Sequence, residues 1–234
     1  MQVNSPYRAN FKPPLEVVVD DLDKNHHKRK GELRMWEEKI EDEAVFEDSI
    51  LEGETIENQE ALNVIFRNIT FKQVIFIEVI LKSLDLVNVY FEGCDLSNIS
   101  LEEARFHKVK FKNCRLIGTR LLESNFNEVF FENCDLEYAL LSGSELKEVH
   151  FIGCKMNSTS MAQCKLKKVT FKENEMIRAD LAGTKLKGID LSTCELSGIS
   201  VKTEDLRGLS VNAMQALEFS KLLGLIIKEE DPLL

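Results

Sequence analysis

The chain has 234 residues, of which 44% are hydrophobic and 30% are charged, with only four prolines. This composition is typical of a soluble globular protein and excludes an intrinsically disordered chain. The formal net charge is −10, and residues 1–65 contribute −8 of it with 16 acidic and 8 basic side chains. Residues 66–211 carry 20 side chains of each sign and are neutral, so the acidity belongs mainly to the N-terminal part.

Targeting signals are not apparent in the sequence. It has no basic-then-apolar leader and no apolar run near the ~20 residues that cross a bilayer. We therefore expect a cytoplasmic protein without a membrane partner. Six cysteines would suit a disulfide scaffold in a short secreted chain, but in this long chain without an export signal we expect reduced thiols.

The first 45 residues form a predicted acidic arm or cap. The stretch "FKPPLEVVVDDLD" indicates an extended segment after a Pro-Pro turn, and "GELRMWEEKIEDE" indicates a short helix. In that helix Met35, Trp36 and Ile40 could pack on the element that follows. The alternative is a loosely attached arm.

From Phe66 to Val211, a large apolar residue returns at every fifth position without a slip: each is Phe, Leu, Met or Val. Two residues before each of them, the chain is nearly always small or β-branched, as at Val109 and Cys114. Neither an amphipathic helix, with period 3.6, nor a half-buried strand, with period 2, has this spacing. The pattern is that of an internal repeat.

A second period of twenty residues groups the five-residue units in fours. One column is Phe71, Phe91, Phe111, Phe131, Phe151 and Phe171. Four short extended sides per turn, with successive turns stacked about 4.8 Å apart, would bring these side chains together along the axis. The sequence therefore predicts an all-β, four-sided parallel β-helix over residues 46–211.

Fainter units begin this coil at Phe46, Leu51, Ile56 and Ala61. Their inward positions include the polar residues Glu54 and Gln59. We therefore expect the first turn to be irregular or open.

After Val211 the five-residue step stops, and residues 212–234 are predicted to form a capping helix with a short tail. Asn212 is a suitable N-cap and Gly224 a suitable C-terminal stop. The apolar residues occupy more than one face of this helix, so one face can cover the last turn and another can meet a second copy of the chain. The candidate dimer interface is Met214, Leu217, Phe219, Leu222, Leu223 and Leu225.

The most conspicuous reactive residues are Cys94, Cys114, Cys134, Cys154 and Cys194, a column interrupted by Asn174. Thiols stacked in a line do not form the tetrahedron that zinc requires, and we interpret the column as small buried core residues. The histidines His26, His27, His107 and His150 share no ligand spacing with the thiols. The sequence has no Gly-rich phosphate loop, nucleophile elbow or H-E-x-x-H motif, so we predict no catalytic, cofactor-binding or metal-binding residue.

Two outward columns are charged. The column Asp95, Arg115, Asp135, Lys155 and Glu175 alternates in sign over its first four members, which is typical of surface stabilisation. The other, which we name the basic stripe, does not alternate. It is Lys147, Lys167, Lys187 and Arg207, with Lys165, Lys168 and Lys185 beside them. Like charges one strand apart repel, so this stripe is either a solvated face or a surface for an anionic partner.

The stretch "RADLAGTKLKGIDLSTCEL" resembles the A-[DN]-L-x-x pattern of the pentapeptide-repeat proteins, and Ala179-Asp180-Leu181 is its closest match. The resemblance extends over about residues 44–227 and implies a right-handed quadrilateral β-helix. The tail is similar to that of the quinolone-resistance members, which dimerise through it, so we expect a homodimer through the C-terminal helix. The alternative is a monomeric cap.

Two functions are compatible with this resemblance. The first is a non-enzymatic protein-interaction scaffold with an unidentified partner. The second is a DNA mimic, because the quinolone-resistance members are rods of duplex-like width that occupy the DNA-binding saddle of DNA gyrase and topoisomerase IV. A mimic should carry regular negative charge, and the neutral repeat with its basic stripe departs from that pattern. We do not expect direct nucleic-acid binding.

Overall fold

A computed structural model describes residues 39–227. In it the chain winds into a right-handed, four-sided coil of parallel strands with a helix at its C-terminal end. The predicted fold class is confirmed. The strands are β1 (Val45–Glu47), β2 (Ile50–Glu52), β3 (Thr55–Leu62), β4 (Ile65–Arg67), β5 (Thr70–Lys72), β6 (Ile75–Lys82), β7 (Asp85–Glu92), β8 (Arg105–Lys112), β9 (Asn125–Glu132), β10 (Glu145–Ile152), β11 (Lys165–Lys167) and β12 (Thr170–Lys172).

The twenty-residue period is the register of the coil. Strands β7, β8 and β9 pair in parallel, with Phe91 opposite Phe111 and Phe111 opposite Phe131. Their rings stack nearly parallel, with centroids 4.7 and 4.9 Å apart. Isolated parallel bridges, such as that between Asp95 and Arg115, continue the ladder on the other sides. Residues twenty apart are therefore neighbours along the axis.

The corners explain the step of five. From residue 43 to residue 188, every fifth residue has a positive φ, and most of these residues are not glycine. Asn113, for example, has φ 53° and Gly118 has φ 64°. One left-handed residue per unit turns the chain, while the large residue and the smaller one two positions before it both point inward. Phe111 and Val109 are accordingly 1% and 0% exposed.

The interior contains a few polar side chains, and hydrogen bonds satisfy the central ones. Thr119 Oγ1 donates to the Leu96 carbonyl at 2.6 Å. Asn174, which interrupts the cysteine column, accepts from the Cys154 N–H at 2.8 Å and donates to the Phe151 carbonyl at 2.9 Å. Such pairing removes most of the cost of burying a polar group.

The first turn is regular, contrary to our expectation. Strand β1 pairs with β4 in the standard register, and β3 pairs with β6. Gln59 points inward as predicted, where its amide accepts from the Ile40 N–H at 2.7 Å. Glu54, by contrast, is exposed, and a carboxylate without a partner is costly to bury.

Little of the predicted N-terminal arm lies within the described residues. Ile40 is buried at 3% exposure against the coil, and residues 39–43 are not helical. Met35 and Trp36, with the rest of the proposed helix, lie outside the described residues.

Near the C-terminal end, the structure departs from the repeat before the five-residue pattern of the sequence ends. Residues Thr203–Leu206 form a 3₁₀ helix. Asp205 is buried and accepts from the Gly183 N–H at 2.8 Å, whereas Glu204, at the inward position of the five-residue count, is exposed. Helix α1 (Ala213–Leu222) follows, with Asn212 as its N-cap, as predicted.

Candidate interaction surfaces

The basic stripe lies on the side of the coil that includes Leu146 and Leu166. Lys147 and Lys167 are opposite each other in the β10–β11 register, and both are exposed. Lys165 pairs with Glu145 at 2.5 Å and Lys168 with Glu148 at 2.8 Å. The hydrogen bond from Lys168 lowers the pKa of the Glu148 carboxyl. These two pairs neutralise the edge of the stripe nearer the N-terminus.

Arg207 does not continue the column as the five-residue count suggested. The Gly188 N–H donates to the Gly208 carbonyl, one residue beyond the usual partner. A Cβ atom at Gly208 would lie 3.5 Å from Lys187 Cα, so Gly208 rather than Arg207 lies over Lys187. The shift is local, because the Leu186 N–H donates to the Asp205 carbonyl and the Leu191 N–H to the Ser210 carbonyl, which are the usual partners.

A seam, defined as residues 165–173 against residues 185–193, interrupts the ladder on two sides. Among the described residues, main-chain hydrogen bonds between these two segments are absent. On the other two sides the same turns are paired, as the Met176 N–H donates to the Glu195 carbonyl at 2.8 Å. Leu166 is consequently partly exposed, whereas Leu146 and Leu186, below and above it, are 1% and 0% exposed.

The corner at Thr193 accounts for one end of the seam. Thr193 is not among the residues with positive φ, because a β-branched residue strongly disfavours that conformation. Its hydroxyl instead accepts from the Glu173 N–H at 3.1 Å, in place of a main-chain carbonyl. A threonine at a corner position was the sequence signal for this feature, and the regular apolar step concealed it.

Five of the six residues of the candidate dimer interface are exposed. Met214 is 73% and Leu223 is 60% exposed, and Leu217, Leu222 and Leu225 are between 45% and 58%. Phe219 differs, because it is partly buried against the core of the coil. The exposed neighbours Ile226 and Ile227 extend the apolar surface into the tail.

Sequence reasoning missed a second apolar surface, on strand β6. Ile75, Ile77 and Ile80 point outward and are 45–47% exposed. The sequence signal was three isoleucines at positions that are polar in most other units.

The first turn is strongly acidic. Residues 39–64 carry nine acidic side chains and one basic side chain, for a net charge of −8. Several of them are exposed, among them Glu47, Glu54 and Glu60. The acidic surface is therefore at the opposite end of the coil from most of the basic stripe.

The cysteine column lies in the core, as we interpreted it. All six cysteines are free thiols and buried. Burial raises the pKa of Cys134, and it raises that of Cys164 to about 11. Within residues 39–227, no group of three or more His, Cys, Asp and Glu side chains could hold a metal ion. No helix of the described part is long and apolar enough to cross a membrane.

The solved structures that resemble this one are distant from it in sequence. The crystal structure of HetL, a pentapeptide repeat protein involved in heterocyst differentiation regulation from the cyanobacterium Nostoc sp. strain PCC 7120, has a TM-score of 0.55 at 17% identity. That likeness covers 72% of this chain and 87% of HetL. QnrB1, a plasmid-mediated fluoroquinolone resistance protein, has a TM-score of 0.37 at 17% identity, over 84% and 94% of the two chains.

No curated protein sequence matches this chain significantly. The family model of the pentapeptide repeat region does match it, over residues 84–149 and 124–201. Together these segments span 84–201, which is 118 of the 234 residues. Because the family model matches more than half of the chain, the chain belongs to the pentapeptide repeat family.

Proposed function

We propose that this protein is a non-enzymatic, cytoplasmic protein-interaction scaffold. The observation that carries the proposal is the separation of distinct surfaces on one rigid coil: an acidic first turn, an isoleucine surface on β6, and a basic stripe. A filled core leaves function to these outward side chains. HetL, a family member involved in regulating cell differentiation, is consistent with such a role.

The basic stripe is the surface we propose for an anionic partner. Immobilised full-length chain should retain a protein from an extract of the native host at moderate salt. The double variant Lys167→Glu/Lys187→Glu should lose it, because charge reversal turns attraction into repulsion. Lys155→Glu, on another side of the coil, is the matched control. Undiminished retention by the double variant would mean that the stripe is only solvated surface.

We further propose that the chain forms a homodimer through helix α1. The exposed apolar residues of α1 and the following tail support this, because contiguous apolar surface of this kind marks interaction sites. A dimer would display two copies of each surface and so increase avidity for a repetitive partner.

A DNA-mimicking binder of DNA gyrase or topoisomerase IV is the second candidate. The acidic first turn favours it, whereas the neutral coil beyond it does not. Titrating the protein into a gyrase supercoiling assay, with and without ciprofloxacin, distinguishes the candidates. For the scaffold we expect neither inhibition nor protection at micromolar protein. Either effect would favour the mimic.

A further inference from the structure

The seam and the basic stripe coincide. We call the two facing segments of the seam its lips. The lip of residues 165–173 carries Lys165, Lys167 and Lys168, and the lip of residues 185–193 carries Lys185 and Lys187. In a closed ladder these lysines would be one strand spacing apart, where like charges repel. The lips are therefore a place where an anion could relieve repulsion on both sides at once.

Three of these lysines form no direct ion pair with another described residue. Lys167, Lys185 and Lys187 are exposed, and the ion pairs between described residues do not include them. Lys165 and Lys168 are instead paired with Glu145 and Glu148, on the turn below. The lysines without a direct ion pair are thus concentrated around the seam.

The seam also leaves main-chain donors without their usual acceptors. The N–H groups of Leu166, Lys168 and Phe171 would bond to the next turn in a regular ladder, and these bonds are missing within the described part of the chain. An anion held by the lysines of both lips would draw the two turns together and shield these amides from water.

The size of the positive region selects the ligand. It extends over three turns from Lys147 to Lys187, each roughly 5 Å from the next. Glu145 and Glu148 flank its lower end, and the exposed Glu204 lies on the turn above it. A nucleic-acid duplex would need a longer track of cations, since its phosphates continue every ~1.7 Å along the axis. A compact group with several charges on a few atoms matches the region better.

We propose that the lysines flanking the seam bind an oligophosphate group, which bridges Lys167 on one lip and Lys185 and Lys187 on the other. This inference depends on the basic stripe being an anion-binding surface, as proposed above, but it does not depend on the protein partner of the scaffold. Failure to capture a protein partner would therefore not contradict oligophosphate binding. Failure to bind oligophosphate would likewise not contradict the scaffold function.

Calorimetric titration of the full-length chain with sodium tripolyphosphate tests the proposal. Lys167→Gln and Lys187→Gln should each weaken binding about tenfold, the loss expected for one charge-assisted hydrogen bond. Lys155→Gln removes the same charge from another side and should leave the affinity unchanged. Circular dichroism establishes that each variant retains the fold.

Hydrogen exchange provides a second measurement, because nonspecific binding at the surface would not change the exchange rates of the seam amides. Tripolyphosphate should slow exchange of the amides of Leu166, Lys168 and Phe171, and leave those of the matching residues one turn below, Leu146, Glu148 and Phe151, unchanged. An anion that remains on the lysine tips without bridging the seam would change neither set, and that result would overturn the proposal.

Two further ligands identify the chemistry. ATP without magnesium should bind through its triphosphate: affinity equal to or above that of tripolyphosphate assigns the site to nucleotides, and lower affinity assigns it to free oligophosphate. Hexaglutamate carries a comparable charge on carboxylates and should bind at least about tenfold more weakly than tripolyphosphate. Equal binding of hexaglutamate, no binding of tripolyphosphate, or an equal loss in Lys155→Gln would overturn the assignment.

Discussion

Gln215 closes the C-terminal end of the coil with a single side chain. Its amide group donates to the Leu191 carbonyl at 2.9 Å and to the Cys194 carbonyl at 2.7 Å. The Leu191 carbonyl also accepts from the Cys194 N–H at 2.9 Å. It also forms a capping box with Asn212, since each side chain accepts from the main-chain N–H of the other. This one residue therefore joins the start of α1 to the end of the core.

Replacing this amide tests its role at the residue scale. Gln215→Ala should lower the free energy of unfolding by about 2 kcal/mol, because the buried Cys194 carbonyl loses its donor and the capping box loses one of its two hydrogen bonds. Chemical denaturation followed by circular dichroism measures the change. Glu218→Ala, at an exposed position of the same helix, should stay within about 0.5 kcal/mol of the parent. Equal effects of the two variants would contradict the capping role.

At the scale of the element, the corners determine how well adjacent turns pair. Asn, Gly and charged residues with long side chains tolerate the left-handed conformation at most corners, whereas Thr193 does not adopt it. The ladder is lost beside Thr193 and intact at the next corner, where the Arg178 N–H donates to the Ser197 carbonyl at 2.9 Å. One unsuitable corner residue is thus enough to weaken a side of the coil.

Thr193→Asn should repair this end of the seam, because asparagine is among the residues that most readily adopt a positive φ. We expect the Phe171 and Glu173 amides to exchange about tenfold more slowly, which corresponds to ~1.4 kcal/mol, as measured by hydrogen-exchange mass spectrometry. Ser158→Asn is the control, since Ser158 already has φ 56° at a paired corner. Unchanged exchange in Thr193→Asn would show that another contact keeps the seam open.

At the scale of the whole molecule, charge and apolar surface are unevenly distributed along the axis. The acidic first turn lies at one end, and the basic stripe and the apolar surface of α1 lie toward the other. Association through α1 would leave the acidic ends free for other contacts. The proposed dimer is therefore compatible with simultaneous use of the other surfaces.

Sedimentation analysis tests the dimer. We expect a species of twice the 26.8 kDa of one chain at micromolar concentration. Met214→Glu combined with Leu217→Glu should give the monomer, because two charges in an apolar interface are costly to desolvate. Glu218→Lys, a charge change at a neighbouring polar position, should remain dimeric. A monomeric parent protein would instead make α1 a simple cap.

The sequence predicted the architecture because one physical constraint repeats. Phe91, Phe111 and Phe131 could be assigned to one column from their spacing alone, since each unit must bury one large residue and the turn closes every twenty. The basic stripe could be located for the same reason. The isoleucines of β6 were equally readable in the outward positions, but the inward pattern gave no reason to group them.

Other features could not be read from the repeat. Phe219 looked equivalent to its apolar neighbours in α1, yet only the docking angle of the helix decides that it packs on the core while Met214 remains exposed. The displacement of Arg207 is a local shift of one residue between Asp205 and Ser210, where the usual hydrogen-bond register holds on both sides, and the apolar step in the sequence does not reveal it. The exposure of Glu54 is consistent with the absence of a partner for its charge among the described residues.

By itself, the sequence determined the register, the four-sided cross-section of the coil and the residues of the core. The reason is that burial is periodic, so equivalent positions in every turn bury the same kinds of side chain. Only the tertiary structure decided where the ladder opens, which of the described lysines form no direct ion pair and which face of α1 is exposed. Those properties depend on individual hydrogen bonds and corner conformations, each comparable in energy to its alternatives, and no repeating pattern constrains them.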